Sequence, residues 1–194
     1  MKLTLKLVTA AVTAACLAQT ASADTVSLRA VGTWGSLTNY QKHEGPFFNE
    51  LLEKASGGSI IGDIKPQTEL GLKGFEIMRL VKNGVFDFAF GLPGYVAAEN
   101  AIFEGGDLSS LTQDIDTQRQ VSDAYFPTLE KAFEEIYGAK LLMLYPFPSQ
   151  TLWCNGEVSG LADLSGTKIR VYSTILGDFV EGVGGTSVTA PFAE

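Results

Sequence analysis

Gly84-Val-Phe-Asp-Phe-Ala-Phe90 is a dense apolar run interrupted only by Asp87. A buried strand of a helix-covered parallel sheet has this composition. Just upstream, Leu72–Asn83 places Phe75, Met78 and Val81 at helical spacing, and Gly84 stops it. Ser59–Lys65 precedes that helix as a strand. Before it comes a helix over Pro46–Ala55, with Phe47, Phe48, Leu51 and Leu52 on one face and Gly57-Gly58 as its stop. The first strand is Thr25–Val31, alternating through Val26, Leu28 and Ala30, and Gly32–Ser36 follows it as a tight loop. The order is βαβαβ, so the spacing predicts an α/β fold built on a parallel sheet.

Downstream of Phe90, Thr117–Tyr137 is expected to be helical, broken or restarted at Pro127 and ended by Gly138. Lys140–Tyr145 has the composition of a strong strand. Pro146-Phe-Pro-Ser-Gln150 then forces an extended path, a natural crossing between two domains. Beyond it lie Thr151–Asn155, a strand over Thr167–Tyr172, a helix near Ile175–Val183 and a strand at Thr186–Thr189. The expected organisation is a first α/β domain over 24–145 and the beginning of a second over 146–194. The second has too few strands to close its sheet, so the chain is expected to be a fragment.

Residues 1–23 have the pattern of a cleaved secretory signal peptide. Lys2 and Lys6 precede the apolar stretch Leu7–Leu17, and Ala21-Ser-Ala23 offers the cleavage site. Without them the chain carries 12 basic and 22 acidic residues, a net charge of −10. That balance argues against nucleic acid and anionic membranes as partners. It leaves room for an anionic ligand, because salt screens distant charge while a local arginine still acts. Cys154 is the only cysteine after residue 23 and is expected to be buried and inert; His43 is the only histidine. No metal-ligand cluster, phosphate loop or dinucleotide fingerprint occurs, and Glu130, Glu134 and Glu135 fall on one helix as a solvated face. No catalytic group, metal site or cofactor motif is expected.

Arg170 is the candidate for ligand contact. On the strand Thr167–Tyr172, Ile169 and Val171 point to one face while Lys168, Arg170 and Tyr172 point to the other. A guanidinium fixed between two core-facing residues suits a carboxylate bidentately. Spacing alone favours a solvated arginine or an ion pair with Asp178 over a ligand contact. Five aromatic residues lie near strand ends or the crossing: Trp34, Tyr95, Phe147, Trp153 and Tyr172. Parallel α/β sheets bind ligands outside the carboxyl ends of their strands, which gives their joint placement its meaning.

The chain resembles the substrate-binding proteins of tripartite ATP-independent periplasmic (TRAP) transporters. The similarity runs through Pro66-Gln-Thr-Glu-Leu-Gly71, the helix Gly74–Gly84, Gly84–Phe90, Leu161-Ala-Asp-Leu-Ser-Gly-Thr-Lys-Ile-Arg-Val171 and Pro191-Phe-Ala-Glu194. It implies a periplasmic-binding-protein-like fold, two α/β domains closing on a small organic acid that is then delivered to a membrane permease. It carries the ligand-gripping arginine onto Arg170. A second arginine common after the first crossing strand is replaced by Gln150, and an acid usual near the end of the third strand is replaced by Leu92 and Pro93. The resemblance therefore implies a monocarboxylate with an apolar or aromatic body, gripped by Arg170. Thr33, Trp34, Tyr95, Phe147, Gln150, Trp153 and Tyr172 are the expected neighbours. It also implies a longer chain and a periplasmic location. The alternative is a binding protein of the same fold that reports its ligand to a sensor kinase.

Overall fold

The computed structural model describes residues 24–194; the signal-peptide expectation for 1–23 lies outside them. Three parallel strands form the first sheet: β1 (Val26–Gly32), β2 (Ile60–Pro66) and β3 (Phe88–Ala89), in the order β2-β1-β3. β1 pairs with β2 along its whole length, from Val26 opposite Ile60 to Gly32 opposite Pro66. It meets β3 only at Ala30–Phe88 and Val31–Ala89. Alternation puts Ala30 and Ile64 on a face covered by Phe48, with Tyr40, Leu52, Phe88 and Phe90 around them.

The covering segment is wound more widely than an α-helix over Tyr40–Glu44 and Phe47–Leu51, and tightens into α1 (Leu52–Ala55). It packs on the outer strand β2, so its contact strip is narrow: Phe48 is buried, whereas Phe47 and Leu51, expected on the same face, are exposed. Gly62 lets it lie so close, since a Cβ there would stand 2.5 Å from the Phe48 carbonyl oxygen. The next helix is shorter than its periodicity suggests. Residues from Gln67 to Gly74 form a loop, and α2 spans Ile77–Lys82.

α3 (Ile115–Tyr137) carries the second core, in which Leu129, Ala132, Phe133 and Tyr137 pack against Val96 and Phe103. Its N-terminus is capped by Asp114, whose carboxylate accepts from the Thr117 N–H at 2.8 Å. Pro127 does not break this helix, contrary to expectation. The proline is exposed, so water can serve the carbonyl it frees, and burial of the following two turns holds the helix on course.

Lys140–Tyr145 is not a strand either. A strand needs a hydrogen-bonding neighbour, and none of the five described strands pairs with it. Leu141 and Leu144 pack on the second core, while Leu142 and Met143 are exposed. Val85–Phe90 likewise yields only the two-residue β3, because the strand lies at a sheet edge and stays half-exposed. Asp87, which interrupts the apolar run, accepts from the Arg29 Nε at 3.0 Å and its backbone N–H at 2.9 Å on that edge.

The last part of the chain is a single βαβ unit. β4 (Lys168–Val171) pairs in parallel with β5 (Thr186–Thr189), Arg170 opposite Val188, and α4 (Thr174–Gly182) connects them. Val171 and Val180 are buried, and Arg170 points to the open face as the alternation requires. Glu104 joins this unit to the first. Buried itself, it accepts from the Ile175 N–H with both oxygens, at 3.1 and 3.2 Å. Cys154 is exposed rather than buried, in a stretch without regular structure that offers no core to receive it.

Candidate functional site

The carboxyl ends of β1, β2 and β3 open on one edge of the first sheet. Thr33 and Trp34 follow β1, Gln67 follows β2, and Phe90 to Leu92 follow β3. These residues, with Tyr95, Tyr145 and Phe147, line a narrow pocket with room for about one water molecule. Its walls are mostly aromatic. Trp34 is buried and meets the rings of Tyr95 and Phe147 edge-on at 6.4 and 6.1 Å. Tyr95 stacks on Phe75 at 4.3 Å and meets Tyr172 at 5.8 Å.

Thr33 also holds the loop in place. Its N–H donates to Glu44 at 2.7 Å, and its hydroxyl contacts both oxygens of that carboxylate, at 2.9 and 3.1 Å. The Tyr145 hydroxyl approaches the same carboxylate at 3.5 Å. Glu44 thus ties the loop after β1 to the residues that lead into the crossing. Burial raises its pKa above the ordinary 4.5, and the hydrogen bonds from Thr33 oppose that rise without cancelling it. Tyr145 is pushed up to about 12, first by burial and then by the Glu44 charge.

The sign of this coupling is definite. Glu44 holds its proton more tightly when folded, so its contribution to stability is full below the unfolded value near 4.5 and is lost as pH rises through the raised folded value. Glu44→Gln cannot ionise. Its melting temperature relative to the parent chain should therefore climb between about pH 4 and pH 7. A difference that stays constant across that range would contradict the assignment.

Arg170 lies beside this pocket. Its Nε donates to the Ala190 carbonyl at 2.8 Å, and its guanidinium carbon stands 5.7 Å from the centre of the Tyr172 ring. Among the described residues it forms no salt bridge, so the ion pair with Asp178 is not made. Burial raises the Tyr95 pKa, while the Phe192 N–H and the Arg170 charge pull it back. Tyr172 is pushed up to about 12 by burial and by the Asp107 and Glu104 charges, with Arg170 opposing. Phe192 sits against Trp34 at 4.9 Å, and its N–H donates to the Tyr95 hydroxyl at 3.0 Å. Tyr95 therefore connects the two regions, its ring on the pocket wall and its hydroxyl toward Arg170.

The structure brings together Thr33, Trp34, Tyr95 and Phe147, with Tyr172 and Arg170 against Tyr95. Gln150 and Trp153 stand apart from them. Both are exposed, Trp153 to 92%, on a segment with no regular structure. Gln67, Glu44 and Glu104 are buried polar residues that pattern analysis misses, because their one-letter context is that of surface residues. Position offers the only clue, and only for Gln67, which directly follows a strand. Among the described residues no group of acids, histidines or cysteines could hold a metal ion.

Comparison with known proteins agrees with this fold. The family model for bacterial extracellular solute-binding protein, family 7, matches residues 31–194. A Bordetella pertussis extracytoplasmic solute receptor binding pyroglutamic acid shares the fold, with a TM-score of 0.77 and 23% identity over 86% of this chain and 55% of that one. A TRAP periplasmic solute binding protein from Sulfitobacter sp. NAS-14.1, with bound β-D-galacturonate, gives 0.74 and 20% identity over 87% and 56%. Another from Desulfovibrio salexigens, with bound orotic acid, gives 0.74 and 20% over 88% and 55%. The chain thus spans about half the length of these structures. No curated protein sequence matches it.

Proposed function

Since this chain belongs to family 7 of the bacterial extracellular solute-binding proteins, we propose that it captures a small organic acid for a TRAP-type membrane permease. The observation that carries this reading is Arg170: a guanidinium with no salt bridge among the described residues, beside an aromatic pocket at the carboxyl ends of three parallel strands. The protein is exported by cleavage after residue 23, and its ligand sits between a first domain over 24–145 and a second begun at 146. Arg170 pairs with the carboxylate. Trp34, Tyr95, Phe147 and Tyr172 enclose an apolar or aromatic body, and the loop at Thr33 sets the floor. Gln150 and Trp153 reach the ligand by movement of their segment as the cleft closes. No step of turnover is involved, since binding and release are what a permease requires.

The ligands of the related structures support the class: pyroglutamic acid, galacturonate and orotic acid each carry one carboxylate. Calorimetric titration of the chain with these three acids and benzoate tests the reading. Saturable binding of at least one acid, and none of its uncharged amide, is expected. If every acid is silent at millimolar concentration, the reading fails.

A further inference from the structure

Gln67 is the residue of the pocket whose chemistry the carboxylate grip does not use. It is 2% exposed, and its Oε1 has no hydrogen-bond partner. Its backbone is pinned: the N–H donates to the carbonyls of Gly32 and Thr33, at 3.2 and 3.1 Å, and its carbonyl accepts from Leu72 at 2.9 Å. The amide therefore cannot leave by a small shift of the loop. Across the pocket, Gly74 makes room for it, since a Cβ there would stand 3.0 Å from Oε1. The pocket it shares is lined by the rings of Trp34, Tyr95 and Phe147, and none of them gives Oε1 a hydrogen bond. A leucine or methionine would pack among these rings without leaving a polar atom unpaired.

We propose that Gln67 is a specificity-determining residue. Its carbonyl oxygen accepts a hydrogen bond from an N–H or O–H of the bound acid, so that the cleft selects carboxylic acids bearing such a donor over isosteric acids without one. The proposal rests on the carboxylate-binding reading above and adds a second requirement to it. Arg170 recognises the charge; Gln67 recognises a neutral group on the body of the same molecule. The selectivity follows from the isolation of the acceptor. A ligand with the donor satisfies Oε1 as it displaces water. One without it leaves the oxygen sealed among aromatic rings with nothing to bond, a penalty that discriminates more sharply than a difference in size.

The test uses two probes of the same shape: pyroglutamate, with a lactam N–H, and 5-oxotetrahydrofuran-2-carboxylate, in which that N–H is a ring oxygen. Calorimetry on the full chain should show pyroglutamate bound at least about tenfold more tightly. Gln67→Met, unbranched and of equal length, should bring the two affinities within about twofold of each other by weakening pyroglutamate alone. Gln67→Leu gives a second, shorter side chain should the methionine variant fold poorly, and the melting temperature of each variant reports on folding. A preference retained in both variants, an equal loss for both probes, or a parent chain that favours the lactone overturns the proposal and leaves Arg170 untouched. Binding of neither probe while galacturonate or orotate binds also overturns it. Binding of no acid at all fails the carboxylate reading itself.

Discussion

Arg170→Ala is expected to weaken acid binding by about 2–5 kcal/mol, the cost of truncating one partner of a hydrogen-bonded charge pair that the closing cleft buries. That is roughly a 30- to 5,000-fold rise in Kd. The structure separates this loss from any loss of fold. Arg170 is exposed on the open face of β4, where its Nε donates to the Ala190 carbonyl. The core beneath is made by its neighbour Val171 and by Val180. The melting temperature without ligand should therefore hardly change, while calorimetry with the best acid shows the deficit. Arg170→Lys keeps the charge and loses the planar fork, so it should recover only part of the affinity. Equal affinities for the parent and Arg170→Ala would sink the assignment.

Gly74→Ala should be the most damaging conservative change in the first sheet and its loops. The residue has φ of +102°, which side-chain-bearing residues rarely adopt, and an added Cβ would stand 2.4 and 2.7 Å from two carbons of the Tyr95 ring. The ring has nowhere to go. It is stacked on Phe75 and bounded edge-on by Trp34 and Tyr172. Backbone strain and overpacking together cost about 3 kcal/mol. For a domain of this size that lowers the melting temperature by roughly 6–12 °C. A thermal melt of the variant within about a degree of the parent would show that the loop from Gln67 to Gly74 relaxes freely. The site would then be softer than its packing suggests.

The parallel sheet was legible because its signals are local. The alternation of Thr25–Val31, the strand before Pro66 and the helix after Gly74 each need only their own residues to be read. What failed depended on distant partners. Pro127 is tolerated because the turns after it are buried, a fact that lies in Phe103 and Val96 far upstream. Lys140–Tyr145 has a strand's composition, yet no described strand pairs with it. Cys154 is a residue type that is usually buried, on a segment with no core to bury it in. In the candidate site, Trp34 and Tyr95 could be placed by their position after strands, whereas Arg170 stood out from a solvated arginine only through the resemblance. Glu44 and Glu104 could not, since a buried carboxylate is distinguished only by the donors around it, and those come from Thr33 and Ile175.

The contrast between Trp34 and Trp153 has an optical consequence. They are the two tryptophans of the chain, one sealed in the pocket wall and the other almost wholly in water. Indole emission shifts to the blue in an apolar setting and is quenched by iodide where solvent reaches it. The protein thus carries one buried and one solvent-exposed probe of the same chemistry. In the ligand-free protein iodide silences Trp153 and leaves the emission of Trp34, and protection of Trp153 from iodide as an acid binds would report the closing of its segment without any attached dye.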